Sequence, residues 1–297
     1  MGRRSFKEII NKYKVFLMLL PFICITFITL ILGTAEMIKE SLGYIPFFNM
    51  KEITFKYYIE VLSDKEFYKS LFYTIYLSFL PTIIALSLGT FFAIYCYYLK
   101  AQVNKLNFII QIPIVIPYIV YSFFVIIIFM QSGFLSRILY SLNIVTEAKE
   151  FPLLIYDEYG IGIFLVYILK QVPFVYLIIN TGLLKVDKKL LYVSFNLGAT
   201  KIKTTFNIVL PIIKKNIITA GLLCFAFNFS SFEVPFLLLN PKIETLPILA
   251  YKKYISSNMD YRVYSMVINT LILIVASLLL IRYLKYMSNS TSESKGK

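Results

Sequence analysis

The chain has 297 residues, 59% hydrophobic and 15% charged, with a formal net charge of +14 and a mean hydropathy of +0.75. An ordinary soluble domain is about 45–50% apolar and about 25% charged, so a water-soluble enzyme and a disordered chain are both excluded. Histidine is absent, which removes His-based metal sites, His general bases and Ser-His-Asp triads. Three cysteines are too few for a disulfide scaffold.

A bilayer-spanning helix needs about 20 mostly apolar residues. The hydropathy pattern predicts an all-α integral membrane protein with six such helices, at residues 15–35, 71–98, 108–130, 160–184, 217–239 and 263–284. The first follows Arg3, Arg4 and Lys7 but is too long for a signal-peptide core, and no small-residue cleavage site precedes Glu36, so it reads as an uncleaved span. The runs are continuously apolar, whereas the strands of a membrane barrel alternate. Prolines 21, 81, 113, 117, 173 and 235 lie in or beside these spans. Membrane helices tolerate proline where neighbours satisfy the freed carbonyls. Such breaks fit either a bundle that moves or ordinary kinks.

Loop charge sets the expected orientation. Five basic residues precede residue 15, and seven lysines lie in 185–216 against the single acid Asp187. The 131–159 loop has only Arg137 and Lys149 against four acids. Both termini and the 185–216 loop are therefore expected in the cytoplasm and residues 36–70 outside. The 240–262 loop, with four basic residues, fits the rule least well. The net charge is thus largely topological and does not indicate nucleic-acid binding. With no Trp, tyrosines such as Tyr57, Tyr97 and Tyr254 are left to form the interfacial belt. The Ser- and Lys-rich tail from residue 286 to 297 reads as disordered.

The 185–216 loop carries the most information. Ile202, Phe206, Val209 and Ile213 follow helical spacing, Gly198 interrupts the pattern, and Pro211 marks re-entry into a span. Two short helices meeting at a glycine would suit a docking surface for a soluble partner. An amphipathic loop held by anionic membrane lipid fits the spacing as well. Gly198-Ala-Thr, with Leu210-Pro211 following and Phe206 between, resembles the cytoplasmic signature loop of type I ABC importer permeases, the binding-protein-dependent inner-membrane components. Tyr192, Val193 and Ser194 stand where that family has Glu-Ala-Ala. Leu62-Ser-Asp-Lys-Glu-Phe, Ile112-Pro-Ile-Val-Ile-Pro, Gln131-Ser-Gly, Phe232-Glu-Val-Pro and Thr245-Leu-Pro extend the resemblance over nearly the whole chain, closest to the polyamine and ferric-iron branch.

The resemblance implies a division of labour. Residues 1–66 would form an N-terminal stretch, first span and outer loop, and 67–285 the transmembrane core with its coupling loop. No Gly-x-x-x-x-Gly-Lys-Ser/Thr phosphate loop occurs, so ATP hydrolysis would fall to a cytoplasmic ATPase dimer and the chain would need no cofactor. That dimer would contact Tyr192, Phe195, Gly198, Ala199, Phe206, Leu210 and Pro211. An extracytoplasmic binding protein would deliver solute in the bacterial plasma membrane. The missing acid implies a second, non-identical permease that carries it, with Tyr192 and Phe195 docking here through shape and apolar contact.

Ionisable groups inside spans are expensive and mark function or pairing. Lys170, in the fourth span, and Glu233, expected in the outer part of the fifth, are the candidates, either as an ion pair or as pathway groups. Asn180, Asn228 and Ser231 are weaker polar candidates for the solute path. A lysine facing the path would repel a cation, which leaves room for an anionic or metal-chelate solute. A self-sufficient secondary transporter or channel is the main alternative. It would more often show internal repeats and several intramembrane charges.

Overall fold

The structure, a computed structural model, describes residues 2–48, 50–99 and 110–295. Among them, six helices are long and apolar enough to cross a membrane: Met18–Ser41, Lys65–Leu99, Tyr118–Ser141, Ile161–Leu183, Lys201–Ser230 and Met259–Lys285. Extended pairing among the described residues is limited to an isolated bridge between Ile45 and Met50. The all-α, six-span expectation is met.

The chain forms two compact units. The first comprises residues 1–63 and 252–270. It holds the first span, a short helix Lys56–Ser63 and the start of the sixth span. Arg262 donates to both carboxylate oxygens of Glu40, at 3.0 and 3.2 Å. Its guanidinium also lies over the rings of Phe48 and Tyr254. Bidentate pairing of this kind gives direction as well as energy. Tyr264 donates to Glu60 at 2.8 Å beside it. Part of the basic charge that fitted poorly with the 240–262 loop is therefore neutralised locally. None of the first span's most apolar window is buried, as expected of a helix facing lipid or another chain.

The second unit comprises residues 64–251 and 271–297 and contains the core. The fourth span is its centre: half of its most apolar window is buried. Toward one end, Val175, Ile179 and Leu183 pack with Ala93, Val209, Ile213 and Ala220. Toward the other, Ile163, Val166 and Tyr167 pack with Leu77, Val125, Ile155 and Leu238. The second and fourth spans approach closely at Gly89, where a Cβ would lie 2.7 Å from the Val175 side chain. Small residues permit this where no solvent drives helices together. Asp157 caps the fourth span, its carboxylate accepting from the Ile161 and Tyr159 backbone N–H groups at 2.9 and 3.0 Å.

Several boundaries differ from expectation. The expected start of the third span, residue 108, lies outside the described residues. Residues 110–115 are helical, the backbone breaks at Ile116–Pro117, and the helix resumes as Tyr118–Phe129. Proline lacks a donor and forces the preceding residue out of helical geometry. The fifth span stops at Ser230, because Ser231 turns extended (φ −70°, ψ 127°), and a separate helix Glu233–Leu238 follows. Glu233 therefore lies beyond the span rather than in its outer part. The last helix continues to Lys295, through the tail expected to be disordered. Propagating a helix already nucleated by a membrane span adds one hydrogen bond per residue fixed, so a polar extension is inexpensive.

Candidate functional site

The loop between the fourth and fifth spans is ordered by caps at each step. Helix Lys188–Asn196 begins at Asp187, whose side chain accepts from the Lys189 N–H at 2.9 Å. It ends at Gly198, which adopts φ +80°. The Gly198 N–H donates to the Phe195 carbonyl at 2.9 Å and the Ala199 N–H to the Ser194 carbonyl at 3.1 Å. Those two bonds are a Schellman cap, which needs a left-handed residue between them, hence glycine. Among the described residues no heavy atom beyond its chain neighbours lies within 4 Å of where a Gly198 Cβ would sit, so the requirement is conformational and not one of close approach.

Thr200 starts the next helix, its hydroxyl accepting from the Lys203 N–H at 3.3 Å. The two helices are joined by the hydroxyls of Ser194 and Thr204, 2.8 Å apart and buried. Thr205 donates to the Tyr98 hydroxyl at 2.9 Å, tying the second helix to the end of the second span. Expected as a separate short helix, it instead runs on through a π turn, Thr205–Val209, into Leu210–Ser230. The wider turn lies just where the Pro211 ring would crowd the carbonyl of Asn207.

The turn also splits the expected apolar stripe. Val209 and Ile213 are fully buried, whereas Ile202 and Phe206 are exposed. With Leu210, those two line an apolar groove of about 680 Å³ against Leu86, Phe91 and Ile94 of the second span. Helix Lys188–Asn196 buries Leu191 and Ser194 and exposes Leu190, Tyr192, Val193 and Phe195, with Leu197 beyond its end. Tyr192 is 57% and Leu197 81% exposed. Apolar side chains clustered on a folded, capped helix suit contact with a partner or with the membrane surface.

The second feature lies within the bilayer. Lys170 is the tenth residue of the fourth span, about 14 Å from its start at ~1.5 Å per residue. Its ammonium donates to the Ile114 carbonyl at 3.2 Å and to the Ile116 carbonyl. It lies 4.6 Å from the ring centre of Tyr118 and 5.8 Å from that of Tyr121. The break before Pro117 supplies these carbonyls, freed of their usual helical donors. A charge at a helix centre costs about 2.5–3.5 kcal/mol; the carbonyl dipoles and ring faces offset part of it. Among the described residues no carboxylate pairs with Lys170, and Glu233 is exposed in the first turn of its own short helix. The expected ion pair is not formed. Lys170 lines a cavity of about 330 Å³ with Tyr118, Gln171, Cys224 and Phe227. Tyr118 stacks on Phe227 at 4.4 Å, bridging the third and fifth spans.

The other polar candidates lie elsewhere. Asn228 is buried, donating to the Thr82 hydroxyl at 3.1 Å and the Ser78 carbonyl at 3.3 Å, and it exchanges hydrogen bonds with Gln171. It knots three spans together instead of facing the cavity. Asn180 is half-buried near the end of the fourth span, and Ser231 sits at the break after the fifth. Sequence reasoning missed Gln171 and the Ile114 and Ile116 carbonyls. The signal was present in Pro113 and Pro117, four residues apart.

Residues 103–292 match the family model described as the binding-protein-dependent transport system inner membrane component. The chain belongs to that family. It is a multi-pass inner-membrane protein with the fold of an ABC importer permease. A stretch of 102 residues is 44% identical to the molybdate/tungstate transport system permease protein of Methanocaldococcus jannaschii. The match covers 33% of this permease and 39% of that relative, so the chain spans about two fifths of its relative's length. Among solved structures, a bacterial ABC transporter involved in import of the acidic polysaccharide alginate matches with TM-score 0.70 and 18% identity. That match covers 95% of this permease and 99% of the solved chain. A bacterial alginate ABC transporter in complex with an alginate pentasaccharide-bound periplasmic protein matches with TM-score 0.69 and 18% identity, over 95% and 96%. At that identity the likeness is one of fold.

Proposed function

We propose that this permease carries an inorganic oxyanion of the molybdate or tungstate class inward, driven by a separate cytoplasmic ATPase dimer. The observation that carries the solute class is Lys170, an ammonium without a carboxylate partner among the described residues, beside a cavity inside the membrane. An uncompensated positive charge between low-dielectric walls concentrates anions and repels cations. Polyamines and ferric iron, favoured by resemblance alone, fit such a cavity poorly. The relative named for molybdate and tungstate supports the same class.

Both termini and the 185–216 loop lie in the cytoplasm, in keeping with its lysines. The ATPase contacts helix Lys188–Asn196 through Tyr192, Phe195 and Leu197, and the Gly198 cap fixes the angle at which its motion enters the fifth span. Because that span and the second short helix are one continuous rod, a push at the loop reaches the Phe227 region without an intervening hinge loop. An extracytoplasmic binding protein delivers the solute, and a second, non-identical permease completes the path and carries the acidic docking residue absent here. The test is ATP hydrolysis by the reconstituted importer. Its binding protein loaded with molybdate or tungstate should stimulate hydrolysis. Stimulation by a loaded diamine and not by either oxyanion would overturn the solute class.

A further inference from the structure

The break in the third span and the lysine of the fourth form a single device. The backbone carbonyls of Ile114 and Ile116 both accept from the Lys170 ammonium, and residue 116 immediately precedes Pro117. Tyr118, the first residue after the break, contributes a ring face to the same ammonium and stacks on Phe227 across the cavity. One cation therefore holds together the two ends of a broken helix and the aromatic pair that bridges it to the fifth span.

We propose that Lys170 is an anion-exchange clasp: its ammonium leaves the Ile114 and Ile116 carbonyls to bind an oxyanion in the cavity, and this release frees the broken third span to move. This rests on the oxyanion reading above. The chemistry is a partner exchange in which no bond of higher order than a hydrogen bond is made or broken. A carboxylate partner would hold the lysine too tightly for a passing oxyanion to displace it. Neutral carbonyls and ring faces hold it weakly enough to be outcompeted by a full negative charge. A cation gains nothing from displacing the ammonium, so the clasp stays shut and specificity follows from the same contact. Once the ammonium has moved, the Ile114 and Ile116 carbonyls are free and the break in the third span loses its hold on the fourth, while Val125 beyond the break stays packed in the core with Val166 and Tyr167. Binding at the solute site thereby becomes a shift in the equilibrium of the third span.

Cys224 lines this cavity and is buried, so its thiol reports opening. The test uses the complete importer in proteoliposomes with Cys24→Ser and Cys96→Ala in this chain, leaving Cys224 as its one thiol. Labelling by N-ethylmaleimide is followed with and without molybdate, alongside ATP-dependent molybdate uptake. With Lys170 present, labelling should be slow and should accelerate roughly tenfold with molybdate. Lys170→Met should label fast regardless of molybdate and lose uptake. Lys170→Arg, which keeps the charge and the donors, should restore slow, molybdate-responsive labelling. If Lys170→Met loses uptake but labels as slowly as the parent, the oxyanion reading stands and the clasp is overturned. If Lys170→Met transports normally, the oxyanion reading itself falls and the clasp with it. If Lys170→Arg also labels fast, the effect is packing damage and the clasp is overturned.

Discussion

Gly198 offers a quantitative test of the docking loop because the structure separates its two possible costs. Its φ of +80° is one that a residue with a Cβ adopts only at a cost of about 1–2 kcal/mol. The Cβ itself would meet no heavy atom of the described residues within 4 Å beyond its chain neighbours, so no steric cost from them adds to this. Alanine should therefore cost about 1 kcal/mol, and valine, stiffened by its branched Cβ, about 2 kcal/mol. Those penalties lower the ratio of capped to uncapped loop roughly 5-fold and 30-fold, and the apparent affinity falls by the same factors where the free loop is mainly uncapped. Asparagine tolerates the left-handed region and should cost least. The assay is the affinity of the purified ATPase for the importer's permeases in nanodiscs. Gly198→Ala should weaken binding about 5-fold, Gly198→Val about 30-fold and Gly198→Asn least, with normal membrane abundance of all three. Asparagine binding as poorly as valine would mean that side-chain volume at the interface matters and not the dihedral angle. Valine binding like the parent would remove the loop from the docking surface altogether.

Three further outcomes are expected. Ser194→Ala leaves the buried Thr204 hydroxyl unpaired and should cost about 1–3 kcal/mol of loop stability, read as faster proteolysis within 185–216. The double variant Ser194→Ala with Thr204→Val should recover most of it, since removing both partners is nearly neutral. Asn228→Leu removes the knot to Gln171 and Thr82 and should lower the melting temperature in detergent, each interhelical hydrogen bond being worth about 0.6 kcal/mol and at most about 1.7 kcal/mol. Its preference for molybdate over sulfate should be unchanged, and a changed preference would return Asn228 to the solute path. In a Cys-free background, Glu52→Cys and Lys188→Cys, both exposed, should be labelled from opposite faces of the membrane; labelling from one face would contradict the orientation.

Much of the fold was legible because a bilayer imposes a length and a polarity that hydropathy measures directly. The six spans, and the loop between the fourth and fifth, follow from that constraint alone. What hydropathy misses is backbone geometry inside an apolar run. Ile116-Pro117 and Ser230-Ser231 both average to hydrophobic windows, yet each ends a helix. The first break creates the carbonyls that hold Lys170, and the second places Glu233 outside its span. Gly198 was legible because a left-handed cap has a nearly unique residue preference. The Ser194–Thr204 pair was not, because two hydroxyls ten residues apart meet only once the Schellman turn has set the angle between their helices. The Ile202 to Ile213 stripe was half legible: the spacing holds within each pair, but the π turn adds a residue and leaves Ile202 and Phe206 on an exposed face and Val209 and Ile213 on the buried one.

This permease is expected to move its solute only when a separate ATPase works the loop around Gly198. The most direct measurement is molybdate uptake into proteoliposomes holding the complete importer and its loaded binding protein, with ATP inside or outside the vesicle and with ion gradients imposed or collapsed. Uptake should require ATP on the face that carries the 185–216 loop and should be indifferent to ionophores. Uptake that proceeds without ATP and vanishes when the ion gradient is collapsed would contradict it and make the chain a self-sufficient secondary transporter.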